Sequence, residues 1–307
     1  MRCEVSPVPS RPPLWQILLA FSAIYFIWGS TFLAIRIGVS EVPPFLYAAF
    51  RFLAAGALLF AFSRWRGVPM PGLREWGSAL LLGCLVFVLD YGSVFWAEQR
   101  VPSGIAAVIL ATIPVFMTIS DLVLLRARNL SLRSGIALLV GFLGVAVLLT
   151  DAPSLHDTPI DRRGIIALLV GALSWSIASA LTRRLPLPAS KQMSAAAQMS
   201  VGGLLLLLLA IATGEPANFH PHAVSLKAWL ALAYLIVPGS IVAFTAYLWL
   251  LHHESPTKVG TYAYVNPVVA VILGYLFGGE TLGVRTVAAT LLILLSVLTI
   301  ATLPKKV

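Results

Sequence analysis

Charge is what this chain has least of. Only 11% of its 307 residues are Asp, Glu, Lys or Arg, where a water-soluble domain carries roughly 25%, while 59% are hydrophobic. With a mean hydropathy of +0.92 the chain cannot hide its apolar surface within itself, so it belongs in a bilayer. Cysteine is nearly absent too. Cys3 lies in a polar leader and Cys84 in an apolar stretch, which cannot build a disulfide scaffold. His252 and His253 are adjacent at a helix end, cannot both face one ion, and have no further ligands in sequence, so no metal and no cofactor is expected. The chain has no Gly-x-Ser-x-Gly elbow and no phosphate-binding Gly-Lys-Ser loop, which removes the usual parts of a hydrolase and of an ATP-driven pump. Leu89-Asp90-Tyr91-Gly92 lacks the second buried acid that an aspartyl protease needs. The net charge of +9 is scattered through short loops, with no basic run or aromatic platform, so no nucleic-acid partner is expected.

What the chain does have is long apolar runs. Taking about 18 to 24 apolar residues per crossing, the sequence predicts an all-α membrane protein with ten transmembrane helices: Leu14–Ile35, Phe45–Ser63, Trp76–Ala97, Gly104–Leu125, Leu132–Thr150, Gly164–Leu181, Met193–Thr213, Ala228–Leu251, Val259–Phe277 and Val284–Leu303. The first run is too long for a signal peptide and has no small-residue cleavage site, so it is expected to stay as the first helix. With ten crossings, fourteen Lys and Arg fall on the side of both termini and six on the other, with Arg51 inside a span. The positive-inside rule then puts both termini in the cytoplasm of an inner (plasma) membrane protein.

Two constant offsets relate the halves. A shift of 147 pairs Trp28 with Trp175, Arg51 with Gln198 and Gly56 with Gly203; a shift of 153 pairs Trp76 with Trp229, Trp96 with Trp249 and Pro114 with Pro267. Each half holds five helices, an odd number, so the second is expected to insert inverted relative to the first, with a solute site between them near mid-bilayer. The predicted organisation is residues 14–150, a connection at 151–163, and residues 164–303.

Trp28-Gly29-Ser30-Thr31-Phe32, the run from Pro102 to Ala107, and Ser255-Pro256-Thr257 through Tyr262-Ala263-Tyr264-Val265-Asn266-Pro267 to Gly279-Glu280-Thr281-Leu282 resemble the two EamA repeats of the drug/metabolite transporter superfamily. The resemblance covers roughly residues 14–303. It implies two inverted five-helix EamA-like repeats and a secondary transporter that exports small organic solutes (metabolites, amino acids or drug-like compounds) by alternating access, with protons as a candidate coupling ion. An uncoupled facilitator for amino acids, or a membrane-embedded enzyme or scaffold, are the alternatives. The first half has Arg126-Ala127-Arg128-Asn129 where the family's Gly-Glu pair would stand, so Glu280 is read as a structural cap at the start of the tenth helix.

Ionisable groups in hydrocarbon need a partner or a cavity. Asp90 is the deepest acid and Arg51 the deepest base; they are expected either to pair or to face a solute. Trp28, Ser30, Tyr91, Trp175, Gln198, Tyr262, Tyr264 and Asn266 complete the candidate substrate-binding set, the aromatics as flat apolar walls and the polar groups for orientation. Pro114, Pro238, Gly239 and Pro267 are candidate hinges, with a helix locally opened at Pro267, which lacks the N–H that would close its turn. The expected partners are a small-molecule solute and lipid, and the expected state is a monomer or weak homodimer.

Overall fold

The computed structural model describes residues 12–101, 103–124, 132–150, 161–278 and 284–301. Every α element among them is a helix: α1 Leu14–Val39, α2 Pro44–Trp65, α3 Leu73–Ala97, α4 Ser103–Leu110, α5 Ile113–Leu124, α6 Leu132–Thr150, α7 Arg162–Leu181, α8 Lys191–Ala212, α9 Leu226–His253, α10 Pro256–Val259, α11 Tyr262–Gly278 and α12 Val284–Ala301. Six of the described helices, α1, α2, α3, α7, α8 and α9, are long and apolar enough to cross a membrane. The other four expected spans fall on α4 with α5, on α6, on α11 and on α12. Glu280, the Arg126–Asn129 stretch and most of the 151–163 connection lie outside the described residues.

Local chemistry sets the helix ends. Pro44 opens α2, where a missing N–H costs nothing. Asp161, Ser190 and Ser225 accept N–H bonds from the first turns of α7, α8 and α9. Gly67 and Gly214 take left-handed φ angles of 73° and 74° just past α2 and α8, where a side chain would strain the turn. Their spacing is again 147. Around the outside, Leu58, Leu139, Ile166, Leu208, Leu230 and Leu291 are exposed, as lipid contact requires, and Trp15, Trp65 and Trp229 are exposed near helix ends, where indoles suit a headgroup layer.

The centre is the crossing of α2 with α8. A Cβ on Gly56 would lie 2.8 Å from Ser200 N, and one on Gly203 would lie 2.8 Å from Leu53 N. Residues 53 and 56 thus meet 203 and 200 respectively, so the two helices run antiparallel. The offset of 147 turns each contact into the other, which is the signature of a two-fold axis between equivalent segments. α6 and α12 also pack together, with Ser296 Oγ donating to Ala137 O at 2.6 Å.

Three of the described helices carry π-helical turns, at Ala23–Ile27 in α1, Gly83–Tyr91 in α3 and Leu235–Val242 in α9. The last two occupy equivalent places under the 153 shift. Such turns widen the helix and free carbonyls for outside donors. Ser174 Oγ donates to Leu85 O at 2.8 Å, Ser240 Oγ to Leu235 O at 2.8 Å, and Trp28 Nε1 to Gly239 O at 3.0 Å. Pro238 sits in the third of these turns, next to the Gly239 carbonyl that Trp28 takes. The expected opening at Pro267 is displaced: α11 runs unbroken through that residue, and the interruption lies at residues 260–261, between α10 and α11. A proline early in a helix has little ladder behind it to break. Likewise α4 and α5 part at residues 111–112, just before Pro114, which is the second residue of α5.

One face gathers the loops at 40–43, 98–101 and 213–225. There the Glu215 carboxylate receives the N–H groups of Phe45 and Leu46 at 3.3 and 2.8 Å, capping α2 from the other half of the chain. Glu41 receives the Ser225 N–H at 2.6 Å and its hydroxyl at 2.7 Å, anchoring the start of α9 in return. At the opposite face the equivalent starts, of α8 and α3, are capped locally by Ser190 and by Glu75.

Candidate functional site

A cavity with about 430 Å³ of empty space, its mouth included, lies where the two halves meet. From the first half α1 contributes Trp28, Thr31, Phe32 and Ile35, α3 contributes Asp90, Tyr91 and Val94, and Leu110 and Ile113 come from either side of the α4–α5 interruption. From the second half come Trp175, Tyr262 and Asn266. Ile35, Val94 and Leu110 lie toward the face of the 40–43 and 213–225 loops, whereas Trp175 and Tyr262 lie toward the opposite one.

A quartet of rings forms the floor at that opposite end. Trp28 meets Tyr262 at 4.9 Å between centroids, Tyr247 at 5.3 Å and Trp175 at 5.5 Å, and Trp175 meets Tyr247 at 4.9 Å. Edge and tilted contacts of this kind hold rings rigidly. Trp28 is further fixed by its bond to Gly239 O, and Tyr247 by a hydrogen bond to Ser179 Oγ.

Asp90 is the carboxylate of the cavity wall. It is 5% exposed, its Oδ1 has no hydrogen-bond partner, and among the described residues no base lies within ion-pairing distance of it. α7 presses close here, since a Cβ on Gly171 would stand 3.2 Å from Asp90 Cα and Oδ1. The expected pair with Arg51 does not form. Arg51 is fully buried outside the lining, donates from Nε to Ser240 Oγ at 2.7 Å, and holds its guanidinium carbon 4.7 Å from the Phe52 ring centroid and 4.9 Å from that of Tyr91. Aromatic faces and the serine on the π turn of α9 attract the cation in place of the carboxylate.

Six of the ten candidate residues therefore line the cavity: Trp28, Asp90, Tyr91, Trp175, Tyr262 and Asn266. With its amide turned so that the nitrogen faces carbonyls, Asn266 donates to Tyr262 O at 3.0 Å within α11 and to Tyr25 O of α1 at 3.3 Å. Ser30, Arg51, Gln198 and Tyr264 lie elsewhere. Ser30 bonds to Tyr234 and to the Ile27 carbonyl, Gln198 donates to Ser194 Oγ at 3.0 Å within α8, and Tyr264 is buried with its ring 3.2 Å from where a Cβ of Gly141 would be. Thr31, Phe32, Ile35, Val94, Leu110 and Ile113 were not singled out from sequence. Thr31 and Phe32 belong to the Trp28 motif and Val94 follows Asp90 by one helical turn, so neighbourhood on a helix face is the signal that could have found them.

Fold and cavity together define a multi-pass membrane protein built from two related halves around an internal chamber. The sequence matches the EamA-like transporter family over residues 14–150 and again over 162–302, and the chain belongs to that family. It is 42% identical over 265 residues to the "Uncharacterized inner membrane transporter YedA" of Escherichia coli (strain K12), covering 86% of this chain and 83% of that protein. It is 26% identical to "Protein PecM" of Dickeya dadantii (strain 3937), over 87% of this chain and 88% of that one. Among solved structures, one crystal structure superposes with a TM-score of 0.73 at 24% identity, over 94% of this chain and 97% of the other, a likeness of fold.

Proposed function

We propose that this protein is a secondary transporter of the inner membrane that exports small organic solutes by alternating access, with Asp90 as a candidate proton carrier. The observation that carries the reading is a chamber lined from both repeats, with a buried carboxylate in its wall and a rigid aromatic floor. In this reading the chain makes ten crossings in two inverted repeats, residues 14–150 and 164–303, joined by 151–163. The antiparallel α2–α8 crossing supports the inversion, because equivalent helices of inverted repeats must point opposite ways. The excess of Lys and Arg puts both termini in the cytoplasm, so the loops carrying Glu41 and Glu215 are periplasmic and the ring quartet separates the chamber from the cytoplasm. Among the described residues of the lining none is a nucleophile paired with a base, and in this reading the solute is carried without chemical change.

An amino-acid facilitator would be expected to offer the solute's carboxylate a base; Arg51, buried behind the wall, does not favour that reading. The test is flux in proteoliposomes containing only this protein, with a panel of solutes, with and without a pH gradient. Saturable flux of an unmodified solute is the expected result. Asp90→Asn is expected to abolish the response to the pH gradient. No flux across a broad panel would refute the transporter reading, and an unchanged pH response in Asp90→Asn would refute the role given to the carboxylate.

A further inference from the structure

We infer that the chamber takes a monovalent organic cation with an aromatic or apolar body, its charge set against Asp90 and its body against Trp28, Trp175 and Tyr262; this rests on the transporter reading of the same site. The chemistry of the wall is one-sided. Among the described residues its charged group is a single carboxylate, 5% exposed, with one oxygen lacking any hydrogen-bond partner, and no Lys, Arg or His stands among those that line the cavity. A buried anion left without a partner is costly, so the occupant that most lowers the energy of the site is one that brings the missing positive charge.

The rest of the lining favours the same class. Trp28, Tyr91, Trp175 and Tyr262 offer ring surfaces, which attract a cation through their quadrupoles most strongly where water is excluded. Three of them belong to the interlocked floor and are held by neighbouring rings, so little ordering is needed when a ligand arrives. Besides the hydroxyls and indole N–H groups of those rings, Thr31 and Asn266 are the neutral polar groups among the described lining residues, and Asn266, with its amide turned so that the nitrogen faces backbone carbonyls, gives its protons to two of them. An anionic solute would face Asp90 with no base to offset the repulsion. A zwitterion would satisfy Asp90 but leave its own carboxylate with neutral donors such as Trp175 Nε1–H and no base among the described lining residues. Arg51 does not rescue it: Nη1 and Nη2 lack hydrogen-bond partners, but the guanidinium is fully buried outside the lining, with Nε given to Ser240 and the rings of Phe52 and Tyr91 packed against it.

The experiment titrates the purified full-length protein with benzyltrimethylammonium, its uncharged isostere neopentylbenzene, the zwitterion phenylalanine and the anion benzenesulfonate, reading tryptophan fluorescence, to which Trp28 and Trp175 in the wall contribute. Saturable binding of the cation, at least tenfold tighter than that of the other three, is the expected result. Asp90→Asn is expected to weaken the cation at least tenfold with little change for the isostere, and Asp90→Glu to keep most of the affinity. Equal binding of the isostere or the zwitterion, no saturable binding of the cation, or an Asp90→Asn protein that binds the cation like the wild type would each overturn the inference. Should Asp90→Asn fail to fold, the ranking of the four probes on the wild type decides. Flux measured alongside separates the two readings. Transport of neutral, anionic or zwitterionic solutes with cations inert removes the substrate class and leaves the transporter. Tight cation binding with no flux of any solute does the reverse.

Discussion

Adding one methyl group at Gly203 tests the central crossing directly. A Cβ there would sit 2.8 Å from Leu53 N and 2.9 Å from Leu53 Cγ; at Gly56 it would sit 2.7 Å from Ser200 Oγ and 2.8 Å from Ser200 N. Comfortable separation for a methyl carbon is about 3.5 to 4.0 Å, so α2 and α8 must part by roughly 1 Å at each point. Two of the obstructing atoms are backbone nitrogens, which cannot swing aside. Overpacking of this kind costs about 1–3 kcal/mol, and the gain in helix propensity from Gly to Ala offsets about 0.8–1.0 kcal/mol. With backbone in the way the upper part of that range applies, about 2–3 kcal/mol, which leaves a net loss of about 1–2 kcal/mol for Gly203→Ala and for Gly56→Ala. Both changes force the same pair of helices apart, so the double variant should lose clearly less than the sum. The control is Gly77→Ala in α3, where nothing lies within 4 Å of the added methyl; it should be neutral or stabilising. Reversible unfolding in mixed micelles, followed by tryptophan fluorescence, reads all four proteins. If Gly203→Ala and Gly56→Ala behave like Gly77→Ala, or their losses simply add, the close symmetric crossing is wrong.

Other consequences follow from the site and from the loop carboxylates. The two Ser225 bonds hold the Glu41 carboxyl below its usual range, so its stabilisation is present above pH about 4.5 and lost as pH falls; burial raises that of Glu215 despite its backbone bonds, so its contribution is full at low pH and declines as pH rises through the raised value. Glu41→Gln should therefore flatten the acid-side loss of stability and Glu215→Gln the opposite slope, checked by melting temperature against pH; matching profiles for both variants would contradict the assignment. Arg51→Met fills similar volume without a buried cation and leaves Ser240 bonded to Leu235 O, so it should be at least as stable as the wild type by chemical unfolding. A loss above about 2 kcal/mol would mean that the aromatic contacts outweigh the burial cost. Trp28→Phe strips the Gly239 carbonyl of its donor beside Pro238 and should cost about 1–3 kcal/mol in the same assay; an unchanged midpoint would show that the carbonyl finds another partner.

The sequence was most informative where a pattern repeats. The offsets that pair Gly56 with Gly203 and Trp28 with Trp175 connect residues at the heart of the α2–α8 crossing and of the ring quartet, because an axis relating two halves leaves the same residue type at both ends of a contact. Depth was legible as well: Asp90, placed by its position inside an apolar run, is the carboxylate of the chamber. Direction around a helix was not. Arg51 and Asp90 lie at compatible depths, yet Arg51 turns toward Ser240, and nothing in the primary structure gives the rotation of α2 that takes it there. The π turns were hidden for a related reason. One extra residue per turn shifts every later side chain by about 100°, and that shift is set by which neighbour can satisfy the freed carbonyls, as Ser174 does for Leu85.

What the two halves do not share is as telling as what they do. Under a strict two-fold axis the starts of α2 and α8, and of α9 and α3, would be capped alike. Instead Glu215 and Glu41 cap α2 and anchor α9 across the repeats at one face, while Ser190 and Glu75 serve α8 and α3 from their own segments at the other. Caps made in place survive relative motion of the halves, whereas caps made across them break when the halves part at this corner. Only one of the two faces is therefore tied by these bonds. For a carrier whose halves alternate between two arrangements, the cross-repeat bonds weight the balance toward the arrangement seen here, with this corner joined and the ring floor at the other end, and Glu41→Gln and Glu215→Gln should shift that balance in the same direction even though their pH slopes oppose. Cysteine accessibility at positions beside Val42 and Val224 reads the shift: both substitutions should raise labelling there, and a rise for one with a fall for the other would show that the two carboxylates do not act on a common opening.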